Sequence, residues 1–267
     1  MKFIRRLFFL FLIFLIAFFL SGGTKIFAPQ TLQHMRELIP AQETAQAQGT
    51  QSEDIHEVSL WTRTRRFIFL RDAVREKVRT DHYITIKQTP ESLQQAIISV
   101  EDNRFYSHHG FDPEGIMRAA LVNLQYGEIE EGASTITQQL VKNLFLSHER
   151  SFGRKAEEFL LALDMEAHYS KDEILELYLN TIYFGSNYYG IGDASVGYFG
   201  KQPSRLELPE AAMLAGLPNA PSLYSPYTDF LMAKKRQFVV LDAMVRTGCI
   251  SRDIAEDAKI KPIYLAH

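Results

Sequence analysis

The sequence predicts a mainly α-helical domain, and three observations carry that prediction. Apolar residues recur at three- and four-residue intervals, as in Leu93, Ala96, Ile97 and Val100, and again in Ile136, Leu140 and Leu144. Helix-start signals stand before such runs: Thr89-Pro90, Ser134, the Ser170-Lys171-Asp172-Glu173 capping box and Ser251. Strand signal is confined to Tyr83 to Lys87, where side chains alternate.

Composition sets the outer bounds. A chain of 267 residues, 46% hydrophobic and 23% charged, accommodates one good-sized domain plus an appendage. Its net charge of −3 gives no global basic field, which argues against duplex nucleic acid as a partner. The single cysteine, Cys249, excludes an internal disulfide and any thiolate cluster for zinc or iron–sulfur.

The N-terminus is the appendage. Lys2, Arg5 and Arg6 precede an unbroken apolar run from Leu7 to Leu20, and Ser21 to Thr24 extend the uncharged span up to Lys25. Residues 1–27 are therefore expected to form one transmembrane helix, N-terminus cytoplasmic and the remainder outside. A cleaved signal peptide has an apolar region of similar length. Ala-x-Ala is missing directly after the run and no cysteine follows there for lipidation, which favours an uncleaved anchor. Residues 28–60 are polar and Gln/Ala-rich and read as a stalk; residues 61–267 are the domain. Its opening segment, Trp61 to Arg79, is basic and aromatic and suits either anionic lipid headgroups or a first helix.

Within the domain, Thr89 is the expected N-cap and Pro90 the first residue of a helix reaching about Asn103. Pro113 to Gln125 follows, with Ile116, Ala120 and Leu124 on one side. After a loop ending at Gly132, Ser134 is expected to cap a helix through Leu144. Arg154 to Tyr169 is assigned a buried face of Ala156, Phe159, Leu160, Leu163 and Ala167. The capping box at Ser170 restarts the chain into Ile174 to Leu179. Asn180 to Gly200, rich in glycine, tyrosine and asparagine, is expected to be irregular. Helices over Pro209 to Leu217 and Phe230 to Thr247, the latter stopped by Gly248, precede a last one capped by Ser251.

Two glutamates carry candidate chemistry. Glu101 sits at the C-terminal end of its helix, on the edge of the apolar stripe above Ile97, while Asp102 is expected to point away. A carboxylate there is disfavoured as a charge, so its pKa should rise towards that of a general base. Glu158 lies among Leu161, Ala162 and Met165 and needs a partner or a ligand. Between them, GASTITQQLVKN places Thr135, Gln138, Gln139 and Lys142 on one helix face beside an anion-attracting N-terminus. Each feature alone has a plain reading: a salt-bridged structural glutamate, or a solvated polar face. Together with Arg150, Arg154 and Lys155, they suit a reaction that expels a phosphate-bearing leaving group. His108 and His109 are adjacent and lack a partner at helical spacing, so a hydrogen-bonded structural His108 is expected rather than a metal ligand. Ser-x-x-Lys, nucleophile-elbow, P-loop and dinucleotide motifs are missing.

The segments EDNRFYSHHGFD, GASTITQQLVKN, RKAEEF, ILELYLNTIYFG and AAMLAGLPNAPSLYSP occur in the order and approximate spacing of the peptidoglycan glycosyltransferase family, which this chain resembles over roughly Thr80 to Pro226. The family's second motif often begins Gly-Gly-Ser, where this chain has Gly132-Ala133-Ser134. With no penicillin-binding domain before His267, the chain looks like the monofunctional kind or a fragment.

The resemblance implies a lysozyme-like helical head with a small membrane-facing jaw drawn from about Pro113 to Leu146. It implies lipid II and the growing glycan strand as substrates, and the bilayer and other cell-wall synthesis proteins as partners. Glu101 would be the general base, and Lys142 and Arg150 would stabilise the pyrophosphate leaving group. Glu158, with Arg154 nearby, would organise the pyrophosphate site; Ser134, Gln138 and Asn143 would shape the second motif, and Asn180 the fourth. A divalent cation, magnesium or manganese, would accompany the pyrophosphate without a dedicated protein cage. A glycan hydrolase also uses two carboxylates, but needs neither the Lys142 face nor an anchor. A non-catalytic membrane scaffold would leave both glutamates and the cations without a purpose.

Overall fold

The computed structural model describes residues 66–78, 81–126, 134–146 and 152–266. The expected anchor at 1–27 and stalk at 28–60 lie outside the described residues. Among those described, no helix is long and apolar enough to cross a membrane.

The domain is mainly helical, as expected. In chain order the helices are α1 (Leu70–Lys77), α2 (Glu91–Glu101), α3 (Pro113–Tyr126), α4 (Ile136–Phe145), α5 (Phe152–His168), α6 (Lys171–Thr181), α7 (Ile191–Phe199), α8 (Leu208–Gly216), α9 (Pro221–Tyr224), α10 (Phe230–Arg246) and α11 (Arg252–Ile260). Two packed groups organise them. In one, α2, α8 and α10 lie mutually against one another, with α11 on α10; in the other, α4 lies against both α5 and α6. Helix α8 is the centre of the first group, and Ala211 to Leu214 within it are almost wholly buried. Its small residues let α2 and α10 approach it closely. One continuous core runs through both groups, from Leu93 and Ile97 through Leu140 and Met165 to Leu214 and Val240.

Caps fix most helix starts. Ser170 accepts the Glu173 N–H while the Glu173 carboxylate accepts the Ser170 N–H, the capping box expected there. Asp229 and Ser251 accept from Met232 and Ile254 in the same way. Helix α2 starts one residue later than expected: Pro90 is its N-cap and Thr89 closes the preceding turn.

Three expectations, on the strand, the Asn180 to Gly200 segment and the buried face of α5, are corrected. Tyr83 to Lys87 is not a strand; Ile86–Gln88 is a 3-10 turn, and among the described residues there is only an isolated bridge between Tyr183 and Tyr189. The extended residues find partners on α6 instead of a neighbouring strand. Asn180 Oδ1 accepts the Ile84 N–H at 2.8 Å, Asn180 Nδ2 donates to the Ile84 carbonyl at 2.8 Å, and Glu176 accepts from the Ile86 N–H and the Tyr83 hydroxyl. Asn180 to Gly200 is not irregular throughout, since Ile191 to Phe199 form α7 and bury Ile191, Ala194 and Tyr198. The buried face of α5 is Glu158, Leu161, Ala162 and Met165, whereas Leu160 and Leu163 of the expected face are 46% and 39% exposed. Reading hydrophobicity alone excluded the stripe that contains a carboxylate. Helix α4 is part of the core, with Ile136, Leu140 and Val141 fully buried.

Candidate active site

Helix α2 ends on two carboxylates with different destinations. Asp102, expected to point away, is buried. Its Oδ2 accepts the Ile136 N–H at 3.0 Å, and both its oxygens lie 3.0 Å from His108 Nε2. Helix α4 begins at Ile136 with first-turn N–H groups that need acceptors, and a buried carboxylate is a strong one. Asp102 thus ties the end of α2 to the start of α4, and His108 has the structural role expected of it.

Glu101 faces the cavity between the two helix groups. Gln139 Nε2 of α4 donates to its Oε2 at 2.8 Å, and Tyr178 of α6 donates its hydroxyl to Gln139 Oε1 at 3.2 Å. The Tyr178 bond fixes which end of the Gln139 amide meets Glu101. Glu101 Oε1 is 3.8 Å from Arg236 Nη2 of α10. Burial pushes the Glu101 pKa up, and the Gln139 bond and the charges of Arg236 and Lys142 oppose that rise without cancelling it. The direction is the one expected from sequence.

The cavity holds about 550 Å³ and is mainly polar: Glu101, Arg118, Lys142, Arg236 and Arg246 line it, with Ser134 and Thr135 at the start of α4. Cations therefore stand on α3, α4 and α10 around one proton-acquisitive carboxylate.

The second motif is arranged differently from its sequence reading. Thr135, not Ser134, caps α4: its hydroxyl accepts the Gln138 N–H, and the Gln138 amide oxygen accepts the Thr135 N–H. Gln138 is thereby buried in a capping box, and Gln139 takes the place beside Glu101. Lys142 reaches the cavity, whereas Asn143 is exposed and does not line it. Asn180 is buried in the contacts to Ile84 described above and is likewise outside the cavity lining.

Glu158 is buried, in contact with Lys155 Nζ and 3.8 Å from Arg154 Nη1. It does not itself line the cavity; Lys155 connects it to the rim by approaching Ser134 Oγ at 3.4 Å. Arg150 lies outside the described residues. The loop after His108 is pinned against this helix by Gly110. Its φ is +78°, a Cβ there would lie 2.7 Å from the Ala162 carbonyl oxygen, and its own carbonyl accepts the Thr135 hydroxyl at 2.9 Å.

Sequence reading missed Arg118, Arg236 and Arg246 as members of the site. Helix α10 was read for its apolar stripe, and nothing in the KKRQ run marks which of its cations turns inward. Among the described residues, no group of three or more His, Cys, Asp or Glu could hold a metal ion, so a protein-built metal centre does not fit them.

The family model described as Transglycosylase matches residues 70–245. Penicillin-binding protein 1A of Aquifex aeolicus is 46% identical over 181 residues, 68% of this chain and 25% of its own. Its counterpart in Escherichia coli is 48% identical over 180 residues, 67% of this chain and 21% of its own. The chain thus spans a quarter or less of those two relatives. A Cupriavidus necator chain named as a transglycosylase is 43% identical over 194 residues, 73% of this chain and 84% of its own. All five sequence motifs begin within the matched span, and Glu101, Lys142 and Glu158 fall inside it. The chain belongs to the transglycosylase family, the peptidoglycan glycosyltransferases.

Proposed function

We propose that the domain, residues 61–267, polymerises lipid II, a disaccharide-pentapeptide carried on polyprenyl pyrophosphate, into the glycan strands of peptidoglycan. The observation that carries this reading is Glu101, a buried carboxylate of raised pKa at the wall of a cation-lined cavity. Glu101 takes the proton from the acceptor sugar's 4-hydroxyl. That oxygen attacks the anomeric carbon of the lipid-linked donor and inverts it, and the bond to the pyrophosphate breaks as the lipid pyrophosphate leaves. Lys142 on the cavity wall, with Arg150 and Arg154, offsets the charge that develops on the leaving group. Glu158 acts one step removed, holding Arg154 and, beside Ser134, Lys155 in place. Gln138 and Asn180 serve through the framework: one caps α4, the other anchors the segment at Ile84.

A divalent cation, magnesium or manganese, would be held by the substrate's pyrophosphate rather than by a protein cage and would supply charge stabilisation there. The head is lysozyme-like, with a small membrane-facing jaw. Met117 on α3 and Leu160 and Leu163 on α5 are exposed apolar side chains that suit a substrate whose tail stays in the bilayer. The apolar run at residues 7–20 supports a single-pass anchor with the domain on the outer face of the bacterial membrane, among other cell-wall synthesis proteins.

The test is incubation of purified protein with labelled lipid II and magnesium, beside Glu101→Gln. Polymer from the wild type alone is expected. Polymer from both removes Glu101 as the base. Soluble fragments from finished cell wall, without polymer from lipid II, favour a hydrolase instead.

A further inference from the structure

The fifth motif, AAMLAGLPNAPSLYSP, has no part in the chemistry so far, yet it builds a seat for one side chain. Arg236 of α10 is 15% exposed at its side chain although it bears a full charge. Its Nε donates to the Gly216 carbonyl at 3.3 Å, and its guanidinium lies over the Tyr224 ring, 5.6 Å from the centroid. Its stem crosses α8 at Gly216, where a Cβ would lie 2.8 Å from Arg236 Cγ. A residue with any side chain would push the arginine off. So the last residue of α8 supplies both the opening and an acceptor, and α9 supplies the ring. All three features aim the free end of the fork, Nη2, at Glu101 Oε1. That oxygen is buried and has no hydrogen-bond partner of its own.

We propose that Arg236 is a positioning residue for the base, and that the fifth motif exists in part to seat it: Gly216 and Tyr224 hold Arg236 so that its charge faces Glu101 Oε1 while Gln139 holds Oε2. The proposal rests on the reading of Glu101 as the general base. In a buried site an unassisted glutamate keeps its proton and does not act as a base at neutral pH. Other charges also face Glu101: Lys142 from α4, its neighbour Asp102, and the neutral Tyr178 hydroxyl from α6 through Gln139. Arg118, Asp112 and Arg246 share the cavity wall. Among the described cations, Arg236 is the one in ion-pair distance of the carboxylate and the one held by the fifth motif.

The experiment is the pH profile of kcat/KM with lipid II for the wild type, Arg236→Met and Tyr224→Leu, with Glu101→Gln alongside. Without the Arg236 charge the Glu101 pKa rises, so the acidic limb should move to higher pH by roughly half to one unit, with rate recovered at alkaline pH. Tyr224→Leu keeps the charge but loosens its seat and should shift the limb the same way by less. A fall in rate at every pH with the limb unmoved in both variants would make Arg236 merely structural and overturn the proposal. Should Arg236→Met fail to fold, the Tyr224→Leu limb decides alone. An active Glu101→Gln removes the base reading instead, whereas an inactive one with unmoved limbs in the Arg236 and Tyr224 variants removes only this inference.

Discussion

Asp102→Ala tests how the site is mounted. The Asp102 carboxylate is buried and is the acceptor for two donors, His108 Nε2 and the Ile136 N–H, each at 3.0 Å. Alanine leaves both donors buried without that partner. A hydrogen bond to a charged group is worth about 1.5–3 kcal/mol, so losing two should cost about 3–6 kcal/mol. For a domain of this size each kcal/mol lowers Tm by roughly 2–4 °C, giving a fall of roughly 6–24 °C. Asp102→Asn keeps one carbonyl oxygen for the Ile136 N–H, and a neutral His108 can turn a bare Nε2 to the amide. It should cost about half as much. Urea unfolding followed by circular dichroism gives both values. Because Asp102 joins the end of α2 to the start of α4, activity at permissive temperature should fall as well. An Asp102→Ala protein within about 1 kcal/mol of wild type would refute the reasoning, since one intact bond of this kind exceeds that.

Other expectations follow from the same geometry. Burial raises the Glu101 pKa above its ordinary 4.5, so the folded chain keeps that proton after the unfolded chain has released it. Stability is therefore fully present below 4.5 and declines as pH rises through the raised value. Glu101→Gln removes this loss and should melt above wild type at pH 8, the difference shrinking towards pH 4; parallel melting curves at all pH values would contradict it. Lys142→Ala should lower kcat/KM for lipid II by roughly ten- to a hundredfold, the worth of one charge-assisted contact to phosphate, with part of the loss in kcat; unchanged kinetics would place that lysine in bulk solvent. Gly110→Ala combines a positive φ with a Cβ 2.7 Å from the Ala162 carbonyl oxygen and should destabilise by about 2–4 kcal/mol, read from denaturant midpoints. A variant as stable as wild type would mean that the loop moves away at little cost.

Much of the helical content was legible because its signals are local. Apolar spacing found α2, α4, α8 and α10, and the Ser170 capping box marked the start of α6 to the residue. Errors arose where a distant partner decides. Tyr83 to Lys87 carries a strand's alternation, but its backbone groups are satisfied by Glu176 and Asn180 side chains, which no local window contains. Ser134 and Thr135 are equally good caps by type; the Gly110 carbonyl, which accepts from the Thr135 hydroxyl, favours the second. By spacing, Gln138 and Gln139 both fall on the polar face of this helix and the family resemblance gives the site role to Gln138, but the cap at Thr135 takes up Gln138 and leaves Gln139 to meet Glu101. Glu101, Lys142 and the burial of Glu158 were readable from position and neighbours. Arg236 was not, because its inward turn depends on an opening in α8 made by a missing side chain.

The pinched loop at Gly110 has a consequence for how this site can change. One peptide unit touches the backbone of α5 at Ala162 and accepts from the cap of α4, while the same loop carries His108 to Asp102 at the end of α2. The three acid- and cation-bearing helices are thus gauged against one another through this one loop. The wall cations Lys142 and Arg246 take no part in those contacts. Cations on the wall can be exchanged, added or lost with the frame undisturbed, so ligand preference is free to drift while the frame is not. A library that varies Arg118, Lys142 and Arg246 but holds residues 108–112 constant should return mostly folded proteins, whereas one that varies only residue 110 should return few.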